Sequence, residues 1–134
     1  MQEFAVPTSS RNQFVNITAE VQQALDAEGV AEGVCHVFVP HTTAGVTINE
    51  NADPDVVHDI LGILASLVPA RGGYRHSEGN SDAHAKASLM GFTATVPVSD
   101  GRLVLGTWQA IYFCEFDGPR RRRCIVAAVG KREA

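Results

Sequence analysis

No apolar run in this chain approaches the roughly 20 residues that a membrane-spanning helix needs, and the stretch from Met1 to Phe14 has neither a basic start nor an apolar signal core. A cytoplasmic protein is the expectation. Cysteine is scarce: Cys35, Cys114 and Cys124 are odd in number and form no CxxC pair, so neither a disulfide framework nor a thiolate zinc site is indicated. Each lies in an apolar run and reads as a buried small hydrophobe. Net positive charge is missing too. A formal charge of −4 argues against general nucleic-acid binding, which needs a basic surface to displace counterions from phosphates. The run Arg120 to Arg123 is the local exception. There is no P-loop, no dinucleotide fingerprint, no HExxH pattern, no internal repeat and no low-complexity tract.

What is present is a soluble-type composition, 45% hydrophobic and 19% charged, over 134 residues, which fits a single domain spanning residues 1–134. Short apolar stretches on either side of Pro7 and the Ser9 to Asn12 cluster predict two short strands joined by a turn. Ile17, Val21 and Leu25 repeat every four residues before Gly29, which predicts a first helix. GVCHVFVP reads as a strand ending at Pro40, and AGVTINE as a second in which Ala44, Val46 and Ile48 alternate with Thr47 and Asn49. The strongest helix signal follows: Asp53 as cap, Pro54 at the first position, and Val57, Ile60, Leu61, Leu64 and Val68 on one face. SDAHAKASLMG predicts a third helix capped by Ser81 or Asp82. FTATVPV, a long run from Leu103 to Phe116, and Cys124 to Val129 predict the remaining strands. This order predicts an α+β fold, a mixed β-sheet with about three helices on one face.

Three of the five histidines have site-like polar neighbours: His41 in PHTTAG, His76 in YRHSEGN and His84 in NSDAHAKAS. Imidazole is a common metal ligand and the proton carrier closest to neutral pH. His76 and His84 flank Asn80 and Asp82 in one loop that leads into a helix, so two imidazoles can fold back onto one centre; a metal follows if His41 joins them. His36 and His58 read as ordinary strand and helix residues. Glu50 shares strand parity with Val46 and Ile48, which would set its carboxylate at the lip of the core, where it suits a general acid or base, or else leave it as a solvated strand end. Asn51 follows it, and Asp53 reads first as a helix cap. Thr42 and Thr43 offer hydroxyls and N–H groups for an anion, or simply a turn. Gly106, Thr107, Trp108 and Gln109 interrupt an apolar strand, either for close approach of a ligand or as a bulge around a core tryptophan.

The segments HTTAGVTINENADPDV, YRHSEGNSDAHAKASLMG and DGRLVLGTWQAIYFCEFDGPRRRR together resemble, in order and spacing, the YjbQ family, often labelled secondary thiamine-phosphate synthase. The likeness spans nearly the whole chain. The resemblance implies a compact α+β fold assembled as a homotrimer, with polar pockets near the subunit contacts. It matches His41, His76 and His84 to the family's histidines, Glu50, Asn51 and Asp53 to its acidic stretch, and Thr107, Trp108 and Gln109 to its tryptophan motif. The label implies joining a pyrimidine diphosphate to a thiazole phosphate with loss of pyrophosphate. That reaction calls for magnesium and for Lys or Arg around the diphosphate, and Arg75 and Lys86 lie beside the histidines. Three histidines, in contrast, suit zinc.

The leading expectation is therefore a metal-dependent enzyme acting on a small phosphorylated or anionic metabolite. His41, His76 and His84 would hold a divalent metal. Glu50, with His41 and Asp53, would serve catalysis. Thr42, Thr43, Asn51, Arg75, Asn80, Lys86, Thr107, Trp108 and Gln109 would bind substrate. The alternative is a non-catalytic trimer that captures a metabolite or anion.

Overall fold

The computed structural model describes residues 1–133. In chain order its elements are β1 (Gln2–Pro7), β2 (Gln13–Asn16), α1 (Thr18–Glu28), β3 (Val30–Phe38), β4 (Ala44–Glu50), α2 (Pro54–Leu67), α3 (Ser81–Met90), β5 (Thr93–Ser99), β6 (Arg102–Leu103), β7 (Gln109–Glu115) and β8 (Arg121–Arg132). The α+β class and the three helices follow the sequence pattern. The strands divide between two sheets, a five-stranded one in the order β1-β8-β3-β5-β6 and a three-stranded one in the order β2-β7-β4. All the pairings among the described strands are antiparallel. β1 and β2 are close in sequence yet belong to different sheets, one beside β8 and the other beside β7.

Strand β7 explains the longest apolar run of the chain. Ile111 and Phe113 face a core shared with α1 and the five-stranded sheet, while Ala110, Tyr112 and Cys114 face a second cluster formed with α3 and Leu64 of α2. A strand covered on both faces reads as continuous hydrophobicity instead of alternation. The helices accordingly sit on different sheets: α1 packs on β1, β3 and β8, and α3 on β4 and β7.

Two of the predicted boundaries change. The run from Leu103 to Phe116 is broken into β6 and β7, because the Gln109 side chain accepts the Gly106 N–H (2.8 Å) and its own N–H returns to the Gly106 carbonyl (3.1 Å), closing a tight turn. The last strand runs from Arg121 to Arg132, well beyond Cys124 to Val129. The cap of α3 is Asn80 in place of Ser81 or Asp82. For α2 the predicted cap holds: Asp53 Oδ1 accepts the Asp55 N–H at 2.9 Å, and Pro54 opens the helix.

Only Leu64 of α2 is fully buried, and Ile63 and Leu67 are 58% and 70% exposed. Near one end of the β3–β8 ladder, beside its register shift, Gly33 of β3 faces Gly130 of β8. A Cβ on either would lie 2.1 Å from a backbone oxygen of the opposite strand. Among the described residues no helix is long and apolar enough to cross a membrane.

Candidate functional site

The arginine run resolves by strand alternation. Arg121 and Arg123 are exposed, while Arg122 is almost wholly buried with Glu115. Arg122 Nε donates to Glu115 Oε1 (2.8 Å), and its Nη2 donates to the Thr43 hydroxyl (2.8 Å). Glu115 also accepts from the Thr8 hydroxyl (2.8 Å) and from the N–H groups of Phe116 (3.1 Å) and Asp117 (3.0 Å). Burial alone would push this carboxyl up. The Arg122 guanidinium, the Asp117 N–H and the Thr8 hydroxyl outweigh burial and hold it below its ordinary range. Thr43 is thus part of the scaffold, and its neighbour Thr42 is exposed.

A second buried ionic cluster lies under α3. Asp82 accepts two N–H groups of Arg11 (3.0 and 3.1 Å) and pairs with Lys86 (3.3 Å), which also reaches Asn12 (3.3 Å). Lys86, expected to bind substrate, is only 3% exposed and serves this cluster. Sequence reasoning missed Glu115, Arg122, Arg11 and Asp82 as partners. The signal for one of them was visible: Glu115 is a lone carboxylate inside the apolar run IYFCEF.

His41 sits at the edge of β8 just past the end of its pairing with β3, its ring 6.4 Å from that of Phe113. Its Nε2 accepts the backbone N–H of Arg123 at 3.0 Å, which places the ring proton of the neutral form on Nδ1. Burial and then the nearby Arg122 charge push its pKa below the usual histidine value, so the ring is neutral at pH 7. It lines a cleft of about 540 Å³ together with Glu3, Phe4, Ala5 and Arg121 to Arg123. Glu3 meets Arg123 at 3.3 Å, both side chains about half exposed. On its other side His41 borders a smaller apolar cleft of about 310 Å³ with Phe38, Pro40 and Phe92.

The loop before α3 brings His76 and His84 together, ring centroids 5.5 Å apart and edge to face. His76 Nε2 is 3.8 Å from Glu78. Asn80 donates from Nδ2 to Asp117 (2.9 Å), leaving its buried Oδ1 without a partner. Arg75 is exposed in the same loop. His41 is bonded to β8, and among the described residues no three of His, Cys, Asp and Glu converge as metal ligands.

At the end of β4, Glu50 is half-buried and exposes no cap or turn role for its carboxylate; its backbone oxygen accepts the Tyr112 hydroxyl at 3.0 Å. Burial, and then the Glu50 charge, push the Tyr112 phenol up. Asn51 accepts from Tyr112 (3.3 Å) and Asn16 (3.2 Å), and its N–H donates to the Trp108 carbonyl (2.8 Å). Asp53 caps α2, Gln109 braces the turn, Thr107 is exposed, and the Trp108 ring is 63% exposed. The tryptophan is therefore outside the core. His36 meets Thr95 (3.3 Å) and His58 meets Asp59 (3.3 Å), ordinary local contacts. All three thiols are buried, and desolvation pushes Cys35 up to about 11 and Cys124 to about 12, the behaviour of inert core residues.

A sequence profile described as UPF0047 protein YjbQ-like matches residues 2–131. The chain belongs to the YjbQ family. Among its relatives are UPF0047 protein MJ1081 of Methanocaldococcus jannaschii, 48% identical over 96% of this chain and 93% of the relative, and UPF0047 protein YugU of Bacillus subtilis, 48% identical over 93% and 96%. A crystal structure of a YjbQ/UPF0047 family protein from Clostridium acetobutylicum superposes with a TM-score of 0.94 at 53% identity, covering 96% of this chain and all of that one, 100%. The two-sheet fold described above is thus that of the family, across bacterial and archaeal members.

Proposed function

We propose that this YjbQ-family chain is a metal-dependent enzyme of the cytoplasm that binds a small phosphorylated or otherwise anionic metabolite, with thiamine-phosphate synthesis as its most specific form. The observation that carries this reading is the cleft under His41, where a neutral imidazole with a free Nδ1–H stands beside the exposed guanidinium groups of Arg121 and Arg123. Arg is suited to bidentate recognition of phosphate and carboxylate oxygens, and the imidazole adds a directed donor without a charge of its own.

The residues at the start of α3 fit a divalent metal of the zinc type: two imidazoles 5.5 Å apart and a buried carbonyl oxygen without a donor. They fit magnesium poorly, since that ion favours carboxylates, phosphates and water. When bound, such a metal would polarise an oxygen of the substrate or of water. Glu50 is the carboxylate available to move a proton, because Asp53 is committed to its helix. Ile63 and Leu67 of α2 and the Trp108 ring are apolar surface suited to the contacts of a homotrimer.

The test is calorimetric titration with inorganic phosphate and phosphorylated metabolites on the intact protein. Arg123→Ala and His41→Ala should each weaken binding at least tenfold, and unchanged binding in both would remove the cleft from the reading. A non-catalytic anion-binding trimer is the second reading, favoured by the commitment of Thr43, Lys86 and Asp53 to the scaffold. Glu50→Gln separates the two: loss of turnover with ligand binding intact supports the enzyme, and retained turnover counts against the proton-transfer role.

A further inference from the structure

The donor set at the start of α3 is larger than its two histidines. Asn80 is the cap residue of the helix and His84 lies one turn on, its N–H donating to the Asn80 main-chain carbonyl at 3.3 Å. The His76 ring meets His84 edge to face at 5.5 Å. The orientation of the Asn80 amide is fixed by its neighbour: Nδ2 donates to Asp117 Oδ2 at 2.9 Å, and the same carboxylate oxygen receives the Arg120 guanidinium at 2.9 Å. Turning the amide would set two oxygens against each other. Oδ1 is therefore held as a buried acceptor with no donor in reach, in a side chain 9% exposed. Such an atom is costly unless something electropositive meets it.

We propose that His76, His84 and the carbonyl oxygen of Asn80 form a binding site for one divalent transition metal, complete within a single chain and independent of His41. This deepens the metal half of the function proposed above and does not depend on the anion cleft. Two imidazoles with one amide oxygen select zinc-like ions over magnesium and calcium, which demand more oxygen donors. Glu78, 3.8 Å from His76 Nε2, stands close enough to orient the ring. The fourth position falls to water, as in sites that act on a substrate. Asp117 and Arg120 act on the metal only through Asn80, as positioning residues that fix which end of the amide faces the site.

The test is a cobalt(II) titration of the intact protein at pH 7.5, read by visible absorption and by competition with zinc, with metal content measured after dialysis. The expected result is one metal per chain in the wild type and in His41→Ala, none in His76→Ala or His84→Ala, and at least a tenfold weaker affinity in Asn80→Ala. X-ray absorption of the zinc-loaded wild type should show two imidazoles and at least one oxygen, which keeps the proposal testable if Asn80→Ala fails to fold. Three imidazoles at the metal, loss of metal in His41→Ala, wild-type affinity in Asn80→Ala, or no uptake by the wild type would each overturn it. Phosphate binding measured on the same samples separates this from the anion reading. Metal lost with phosphate binding intact in His84→Ala, and the reverse in Arg123→Ala, would show two independent sites.

Discussion

The Glu115–Arg122 centre and the His76–His84 pair are built from the same class of residue, ionisable side chains in polar sequence surroundings, and they end in opposite states. Around Glu115 every oxygen has a donor: Arg122, Thr8, and the N–H groups of Phe116 and Asp117. At the start of α3 two imidazoles meet edge to face, and the cap residue Asn80 carries an orphaned carbonyl oxygen. A closed polar cluster holds the fold together, whereas one left short of partners is where a ligand has something to gain.

The comparison breaks most sharply at Arg122. Arg122→Ala leaves Glu115 buried without its counter-charge and should cost about 3–5 kcal/mol in urea unfolding; a loss under about 1 kcal/mol would mean that the centre is not structural. Asp82→Asn comes next, at about 2 kcal/mol, because Arg11 and buried Lys86 lose their counter-charge. The pH dependence is smaller and has two steps. His41 has its folded pKa below the ordinary 6.5, so the unfolded chain takes up a proton first and stability falls as pH drops from 6.5 toward the folded value. Glu115 and Asp82, with folded values below their ordinary 4.5 and 3.8, stabilise above those values and lose that contribution as pH falls through the folded ones. Chemical denaturation between pH 8 and about pH 2 should show both steps, and His41→Gln should flatten the upper one alone. The smallest effect sharpens the contrast from the other side: His84→Ala should change metal-free stability by no more than about 0.5 kcal/mol, while abolishing the thermal stabilisation produced by zinc.

Local signals were readable in advance and long-range partners were not. Asp53 and Pro54 announced α2, the strand AGVTINE lies where its alternation placed it, and the juxtaposition of His76 with His84 follows from one loop. The division into two sheets could not be read, because β1 and β2 have similar short patterns and differ only in which distant strand each meets. Alternation sends two of the four arginines to each side of β8, but the sequence does not say that one side meets the Glu115 carboxylate, so Arg122 was not distinguished from its neighbours. Lys86 and Thr43 looked free for a substrate for the same reason: their partners, Asp82 with Asn12 and Arg122, are identified only by the folded chain.

The glycine pair near the end of the β3–β8 ladder bears on how this fold can drift. At Gly33 and Gly130 the obstruction to a side chain is the opposite strand's main chain, at 2.1 Å, and main chain is present whatever residue is coded there. No exchange at one position can relieve a change at the other. The two residues that pair across β3 and β8 are therefore fixed separately, and a search for correlated substitutions would find no sign of their contact.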